Sequence, residues 1–270
     1  MTTSSSEAPP PIGVFDSGLG GLSVLRELVQ KLPRQRFIYV ADSGHCPYGG
    51  KSQDQIIARA VAITDFLIAR GAGLIVVACN TATIAAVEYL RANYSLNFVG
   101  MEPAVKPAVA LTHSGVVGVL ATGAALAGDK LLKLIDRHAG GVRVITQPCP
   151  GLVEQIEQGE LNSAATRALV QRYTQPLLDA GADVIVLGCT HYPFLRSLIT
   201  EVAGSQVRLL DTGEAVARRV ASLVAANSGE TVIAASIDWY SSGVPAQMER
   251  VGACLWGEAM SVAPLPKLNG

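Results

Sequence analysis

Two cysteines stand at matching places in the sequence, each directly after a Val-rich apolar run. The stretch "VIVLGCTHYP" at 184–193 contains Cys189, and "LIVVACNTAT" at 74–83 contains Cys79. A short apolar run followed by polar residues indicates a buried strand that ends in a loop. Four roles are open to such a cysteine: core residue, disulfide partner, metal ligand or reactive thiol.

The pairing of the two cysteines disfavours most simple explanations. A lone cysteine beside a Val-rich strand is most often a small core residue, but packing alone does not explain two in the same structural position. A disulfide is disfavoured in a reducing compartment. Cys79, Cys189 and His191 fall short of the usual four zinc ligands and have no CxxC spacing. A Cys–His nucleophile would use Cys189 with His191 and leave Cys79 without a role.

One reaction needs two bases on opposite faces of a carbon, namely the inversion of a stereocentre. One base removes the α-proton while the conjugate acid of the other delivers a proton from the far side. Thiols suit this chemistry because a free cysteine has a pKa of about 8.5, which neighbours readily lower. On one side, His191 lies two positions after Cys189. On the other, Asp16 or Asp42 is available to Cys79, although loop capping is the alternative interpretation of both acids.

Hydroxyl, amide and glycine residues are placed to hold the anionic groups of a substrate. At helix starts, backbone N–H groups and hydroxyls bind carboxylates without a cationic side chain. The residues at predicted helix starts are Ser17, Gly18, Tyr48, Gly49, Asn80, Thr81 and Thr190. Simple helix capping is the alternative interpretation for some of them. The "GLGG" stretch is a weak phosphate-loop signal, because it lacks the P-loop Lys-Ser/Thr and the GxGxxG spacing.

The elements that must position these residues repeat once along the chain. Apolar runs alternate with helical patterns, which indicates βαβ units and a parallel sheet. At an offset of 105, the stretch 12–18 aligns with 117–123 and Phe37 aligns with Val142, while the two cysteines align at an offset of 110. Ligands bind beyond the carboxyl ends of parallel strands. Two facing copies would therefore bring the cysteines, and Thr122, to a shared cleft from opposite walls.

We predict an α/β fold of two similar parallel-sheet domains related by a pseudo-twofold axis, with the active site in the cleft between them. The length of 270 residues favours two domains. The predicted boundaries are a disordered, solvated tail at 1–11, a first domain at 12–101 plus 210–270, and a second domain at 102–209. The segment after Leu210 continues as strand, helix and strand, and is expected to return to the first domain.

Composition excludes several other classes of protein. Apolar residues make up 49% of the chain and aromatic residues 5%, which suits a close-packed α/β enzyme. A net charge of −1 without a basic cluster argues against nucleic-acid binding. Five scattered cysteines favour a reducing cytoplasm, and there is neither a signal peptide nor an apolar run of about 18 to 20 residues. We expect a soluble cytoplasmic protein that binds neither nucleic acid nor membrane.

Taken together, these stretches resemble the aspartate/glutamate racemase family. The matching stretches run in family order from Gly13 to about Ala217: "GVFDSGLGGLSVL", "ADSGHCPYGGKS", "ACNTAT", "GMEPAVKPA", "LGCTHYP" and, more weakly, "LLDTGEAVA". The resemblance implies an enzyme without a cofactor that interconverts L- and D-glutamate and supplies D-glutamate for peptidoglycan in a bacterial cytoplasm. The "GMEPAVKPA" and "CTHYP" stretches favour glutamate over aspartate.

The resemblance also implies roles for individual residues. Cys79 and Cys189 match the two catalytic cysteines, and Asp16 and His191 match the residues that assist them and contact the substrate. The positions that match substrate contacts are Ser17, Tyr48, Gly49, Asn80, Thr81, Thr122 and Thr190. Glu157 matches an acid that orients the histidine. The chain departs from the family at Ala125, where many members carry a second threonine.

Neither a metal nor a cofactor is expected from the sequence. Pyridoxal phosphate would need a Schiff-base lysine, and the nearest one, Lys51, starts a helix and is expected to be solvated. The expected partner is the small-molecule substrate glutamate; a homodimer is an open expectation, since no interface is recognisable. Two rival functions are racemisation of aspartate or another acidic substrate, and non-enzymatic binding by a two-lobed protein.

Overall fold

Two parallel β-sheets form the centre of the protein, which was described from a computed structural model. The structure describes residues 9–123, 129–224 and 235–267. The predicted tail at 1–11 falls mostly outside these residues, and so does Ala125. The strands are β1 (Ile12–Asp16), β2 (Arg36–Ala41), β3 (Leu74–Val77), β4 (Asn97–Val99), β5 (Val116–Ala121), β6 (Arg143–Pro148), β7 (Val184–Leu187), β8 (Arg208–Leu210), β9 (Ser236–Ser241) and β10 (Val262–Pro264).

Helices connect and cover the strands. The described α-helices are α1 (Leu22–Lys31), α2 (Gln53–Ala69), α3 (Asn80–Asn93), α4 (Val105–Leu111), α5 (Asp129–His138), α6 (Leu152–Glu157), α7 (Ala164–Asp179), α8 (Arg196–Ala203), α9 (Gly213–Val224) and α10 (Pro245–Trp256). Short 3-10 turns lie at Ser43–His45, Tyr48–Gly50 and Tyr192–Leu195. In the described part of the chain, no helix has the length and apolar character that a membrane span requires.

The two sheets share one topology. Among the described residues, the first sheet has the order β10-β9-β2-β1-β3-β4 and the second β6-β5-β7-β8. The second sheet therefore repeats the β2-β1-β3-β4 part of the first, and every strand pairing among the described residues is parallel. This confirms the predicted fold class of two similar parallel α/β domains. Strands β1, β3 and β7 are buried along their whole length, as expected for sheets covered on both faces.

One alignment within the repeat was wrong. In the first sheet, Ile12 of β1 pairs with Phe37 of β2. In the second sheet, Val117 of β5 pairs with Val144 of β6. Phe37 therefore corresponds to Val144 and not to Val142, because the connection between β5 and β6 is two residues longer than that between β1 and β2. The third strands keep the predicted offset of 110, since Ile12 pairs with Leu74 and Val117 with Val184.

The C-terminal segment returns to the first sheet. Strand β9 pairs with β2 and β10 pairs with β9, and α9 packs against α1. Strand β8 still belongs to the second sheet and reaches Leu210, which pairs with Val186. The domain boundaries at 101/102 and 209/210 stay a prediction.

A glycine in the first strand of each domain lets a helix pack closely on the sheet. A β-carbon at Gly13 would lie 2.9 Å from Leu67, and one at Gly118 would lie 2.7 Å from Leu177. Leu67 in α2 and Leu177 in α7 are fully buried and are themselves 110 residues apart. The repeat therefore includes the packing of helix on sheet as well as the strands.

We expect Gly118→Ala to destabilise the second domain. Leu177 is fully buried and its Cβ and Cγ would also lie 3.3 Å from the added carbon, so the added methyl should cost about 1–3 kcal/mol of unfolding free energy, measured by urea denaturation. Gly50→Ala is the control, because its β-carbon would meet no atom of the described residues within 4 Å. Equal midpoints for the two variants would contradict this account of the packing.

Candidate active site

The carboxyl ends of both sheets meet at a small cavity. Its volume is about 20 Å³, which is room for about one water molecule. The lining residues come from both domains: Ser17, Pro47, Tyr48, Gly49, Cys79, Asn80, Thr81, Thr122, Val153, Gly188, Cys189, Thr190 and His191. The structure thus brings together both predicted cysteines and nearly all of the predicted contact residues. Three predicted residues do not line the cavity, namely Asp16, Asp42 and Glu157. Each of them contacts a residue that does.

Cys79 lies on the wall formed by the first domain. Cys79 is the N-cap residue of α3, and its thiol accepts a hydrogen bond from the Ala82 N–H at 3.5 Å. The same thiol donates to Ser17 Oγ at 3.8 Å, and the side chain is 4% exposed. A strand that ends in a cysteine directly before a helix therefore points the thiol along the helix start and into the cavity.

Asp16 ends β1 beneath Cys79 and is fully buried. Its carboxylate accepts hydrogen bonds from the Gly21 N–H at 2.9 Å and the Gly18 N–H at 3.3 Å. Burial raises the pKa of Asp16 above its ordinary value, against the lowering effect of the charge on His191. Burial, followed by the charge of Asp16, also raises the pKa of the Cys79 thiol. This wall therefore holds Cys79 as a protonated thiol near neutral pH.

Cys189 lies on the wall formed by the second domain, next to a histidine. His191 Nδ1 is 3.6 Å from Cys189 Sγ, and His191 Nε2 is 2.6 Å from Glu157 Oε1. Burial opposes protonation of the ring, but hydrogen bonds with Cys189, Cys46 and Glu157 outweigh it and raise the pKa of His191 well above its ordinary value. The second wall therefore places an imidazole of raised pKa beside the Cys189 thiol.

The "GLGG" loop joins the two walls. The Leu19 N–H donates to Glu157 Oε1 at 2.6 Å, and Ser23 Oγ donates to the carbonyl oxygens of Gly20 and Thr190 at 2.9 and 2.8 Å. A β-carbon at Gly20 would lie 2.6 Å from Thr190 Oγ1 and would also overlap the His191 ring. Glycine is required here because the loop backbone lies against the histidine, which gives this stretch a role other than phosphate binding.

Polar groups cross the cleft at its other end. Thr81 Oγ1 and Thr122 Oγ1, from the first and second domains, are 3.2 Å apart. Asn80 is buried, and its Oδ1 has no hydrogen-bond partner among the described residues. A buried amide oxygen without a partner is costly. It is therefore available to a hydrogen-bond donor on a ligand in the cavity.

Asp42 supports the site from outside the cavity. Its buried carboxylate accepts two hydrogen bonds from Arg59, at 2.8 and 3.0 Å, and one from the Tyr48 hydroxyl at 2.6 Å. Burial alone would raise the pKa of Asp42, but hydrogen bonds from Arg59, Ser242 and Tyr48 lower it below its ordinary value. The acid thus fixes the side chain of Tyr48, and Asp16 is the acid beside Cys79.

Sequence reasoning missed several residues of this region, among them Pro47 and Gly188 of the lining and the three that follow. Arg59 lies inside α2, seventeen positions after Asp42, and no local signal marks it. Val153 lines the cavity from α6 and has only its apolar character in the sequence. Cys46 Sγ lies within 4.8 Å of a ring nitrogen of His191, and its position in the strand-end loop "SGHCPYGG" was a signal that could have identified it.

Fold and site together define a two-domain parallel α/β protein with a thiol on each wall of the cleft between the domains. The chain belongs to the Asp/Glu/hydantoin racemase family, whose family model matches residues 12–220. The resemblance found in the sequence is thereby confirmed. The match covers β1 to α9, and so includes both cysteine motifs.

Named relatives agree with the family. The chain is 58% identical to the glutamate racemase of Herpetosiphon aurantiacus over 91% of this chain and 97% of that one. It superposes on Escherichia coli glutamate racemase in complex with L-glutamate and the activator UDP-MurNAc-ala with a TM-score of 0.87, at 33% identity, over 97% and 100% of the two chains. The Francisella tularensis glutamate racemase in complex with D-glutamate gives a TM-score of 0.80 at 27% identity, over 95% and 97%.

We expect Arg59→Met to cost about 3 kcal/mol of unfolding free energy, because it leaves the buried Asp42 carboxylate without its charged partner. A depressed folded pKa contributes stability above the unfolded value of about 3.9 and loses it as pH falls through the folded value. Without Arg59, burial should raise the pKa of Asp42 in the folded variant, so the difference between wild type and variant should be full above that raised pKa and shrink as pH falls from it toward the lowered wild-type pKa. Urea denaturation as a function of pH measures this.

Arg36→Met is the matched control for this prediction. Its ion pair with Asp238 spans 3.7 Å, and the two side chains are 45% and 51% exposed, so its loss should cost less than about 1 kcal/mol. A cost for Arg59→Met that is as small as the control, or that is the same at every pH, would contradict the role given to Arg59.

Proposed function

We propose that the chain is a glutamate racemase that interconverts L- and D-glutamate, with Cys79 and Cys189 as its two bases. One observation carries the proposal: two thiols from two different domains line the same cavity. The names of the relatives support glutamate as the substrate, since the 58% identical relative is a glutamate racemase and the related structures hold L- and D-glutamate.

The chemistry follows from the two walls. One cysteine, as its thiolate, removes the proton from Cα, and the thiol of the other delivers a proton to the opposite face. During the reaction, one sulfur therefore loses its negative charge while the other sulfur gains one. The His191 imidazolium lies where it stabilises negative charge on Cys189 and returns a proton to it. Asp16, buried beneath Cys79, is the group that exchanges a proton with that thiol.

The substrate is held largely by uncharged groups. The lining of the cavity contains hydroxyl, amide and backbone N–H groups from Ser17, Gly49, Thr81, Thr122 and Thr190, and the start of α3 adds the positive end of a helix. Asn80 Oδ1 is the acceptor for the substrate ammonium group. Glutamate is far larger than one water molecule, so the two walls have to move apart to admit it.

The reaction we propose needs no cofactor. Among the described residues, no lysine lines the cavity, so the cleft offers no Schiff-base amine to pyridoxal phosphate. D-glutamate made in this way would supply peptidoglycan synthesis in a bacterial cytoplasm, as the family resemblance implies. A homodimer stays a prediction.

Two rival functions make different demands on the same fold. A racemase for aspartate or another acidic substrate would keep both thiols and change only the fit of the side chain. A two-lobed binding protein would need a cleft but no paired thiols. The paired thiols favour an enzyme, and the relatives favour glutamate.

We expect purified protein to abolish the circular dichroism of L-glutamate over time and to leave that of L-aspartate unchanged. The reason is that a fixed distance separates the place where Cα meets the two thiols from the groups that bind the side-chain carboxylate. The shorter side chain of aspartate cannot fill both places at once. Polarimetry of both amino acids under identical conditions is the measurement. Faster loss of signal from aspartate would refute the glutamate assignment, and no loss from either would favour the binding protein.

We expect Cys79→Ser and Cys189→Ser each to lower racemisation by at least about 10²- to 10⁴-fold, because each removes one acid–base group. Each variant should still eliminate a β leaving group from one enantiomer only, and the two variants should prefer opposite enantiomers. In deuterated water, wild-type product should carry label at Cα while recovered substrate stays largely unlabelled. Cys254→Ser, at an exposed thiol, is the control.

The two-thiol mechanism fails if either serine variant racemises glutamate at a near wild-type rate. It also fails if early substrate and product carry label equally, since a single base moving between the faces would exchange both.

A further inference from the structure

A third cysteine lies close to His191 and Glu157. Cys46 Sγ, a carboxylate oxygen of Glu157 and a ring nitrogen of His191 all lie within 4.8 Å of one another. His191 Nδ1 is the nitrogen next to Cys189, whereas Nε2 is 2.6 Å from Glu157 Oε1. This group, which we call the Cys46 cluster, differs from the Cys79, Cys189 and His191 set considered from the sequence.

The donor atoms of the Cys46 cluster are those that bind zinc. A thiolate, an imidazole nitrogen and a carboxylate oxygen form tetrahedral Zn²⁺ sites with bonds of about 2.0–2.3 Å. In that geometry the donor atoms are roughly 3.3 to 3.8 Å apart. To bind an ion, Nε2 and Oε1, which are 2.6 Å apart, have to separate by about 1 Å, and Cys46 Sγ, which lies within 4.8 Å of both partners, has to approach them by up to about 1 Å.

An open pocket leads to the cluster. It has a volume of about 220 Å³ and is lined by Cys46 and Glu157 together with Leu19, Pro47, Val153 and Met248. The pocket is distinct from the cavity between Cys79 and Cys189, whose lining includes neither Cys46 nor Glu157. It supplies an entry path and room for a water molecule as fourth ligand, which a credible metal site requires.

We propose that the Cys46 cluster binds Zn²⁺, or a divalent ion of similar softness, through Cys46 Sγ, Glu157 and His191 Nε2, and that the bound ion inhibits the enzyme. Binding releases two protons to solvent, one from the Cys46 thiol and one from His191 Nε2. No bond to carbon forms or breaks.

Inhibition follows from the shared imidazole ring and rests on the proposed function. With the ion on Nε2, the ring can no longer carry the second proton that makes it an imidazolium toward Cys189. Glu157 is also withdrawn from its contact with the ring. The dication also stabilises negative charge on the nearby sulfur, so the Cys189 thiolate takes a proton from Cα less readily when it has to act as the base.

The test uses the purified full-length chain with Co²⁺ as a spectroscopic probe and Zn²⁺ as inhibitor. We expect one equivalent of Co²⁺ to give a sulfur-to-cobalt charge-transfer band in the near ultraviolet, and Zn²⁺ to displace it. Zn²⁺ should inhibit racemisation of wild type and of the exposed-thiol control Cys254→Ser equally. Cys46→Ala and Cys46→Ser should weaken both Zn²⁺ binding and inhibition by about tenfold or more, each measured against its own metal-free rate.

Several results would overturn the proposal. A cobalt band of equal strength in Cys46→Ala would place the metal on another thiol, and absence of the band in wild type would remove the site. Full racemisation activity with the site occupied would refute inhibition while leaving binding intact. If the metal-free protein racemises no amino acid, the proposed function fails and inhibition with it, whereas the cobalt spectra still decide whether the site exists.

Discussion

One carboxylate oxygen holds the two halves of the site together. Glu157 Oε1 lies 2.6 Å from His191 Nε2 in the second domain and accepts the Leu19 N–H of the first domain, also at 2.6 Å. Through the ring, this oxygen orients the imidazole of His191 toward Cys189. Through the loop, it holds the backbone whose Gly21 N–H fixes Asp16. The two thiols are thus positioned relative to each other by hydrogen bonds that meet at one atom.

The two sheets strengthen the hydrogen bonds that Glu157 Oε1 makes. Both partners of Glu157 come from positions next to strand ends, since Leu19 follows β1 and His191 follows β7. Strands that are buried along their whole length leave these ends little freedom. A charge-assisted hydrogen bond between such fixed partners loses little conformational entropy when it forms.

The sequence was most informative where structure repeats and least where contacts are distant. Two Val-rich runs, each followed by a cysteine, indicated the strands, the loops and the shared cleft, because a parallel strand places its next residues at one edge of the sheet. The contact of Arg59 with Asp42 could not be seen in the same way. It depends on how α2 lies across the end of β2, which no local pattern records. The two extra residues between β5 and β6 escaped notice because a length change in a surface connection leaves the strand pattern intact.

The walls of the cleft match in backbone but not in charge. Cys79 and Cys189 occupy equivalent strand ends, yet a buried acid lies beneath the first and a histidine of raised pKa beside the second. Such a difference cannot favour one product at equilibrium, because the enantiomers of an amino acid have equal free energy in water. It acts instead on the path between them.

In a two-base enzyme, the free protein keeps the protonation state that its last turnover left on the two bases. Under the proposed two-thiol reaction, conversion of L- to D-glutamate would exchange the protonation states of the two sulfurs, so the protein that releases product would be a different protonation isomer from the one that bound substrate. Burial, which raises the pKa of the Cys79 thiol, favours the isomer in which Cys79 is protonated. Under that proposal the protein would have to re-equilibrate with solvent before it could repeat the same conversion, whereas the reverse conversion could begin at once. This relaxation of the empty protein would then limit the rate at high substrate concentration.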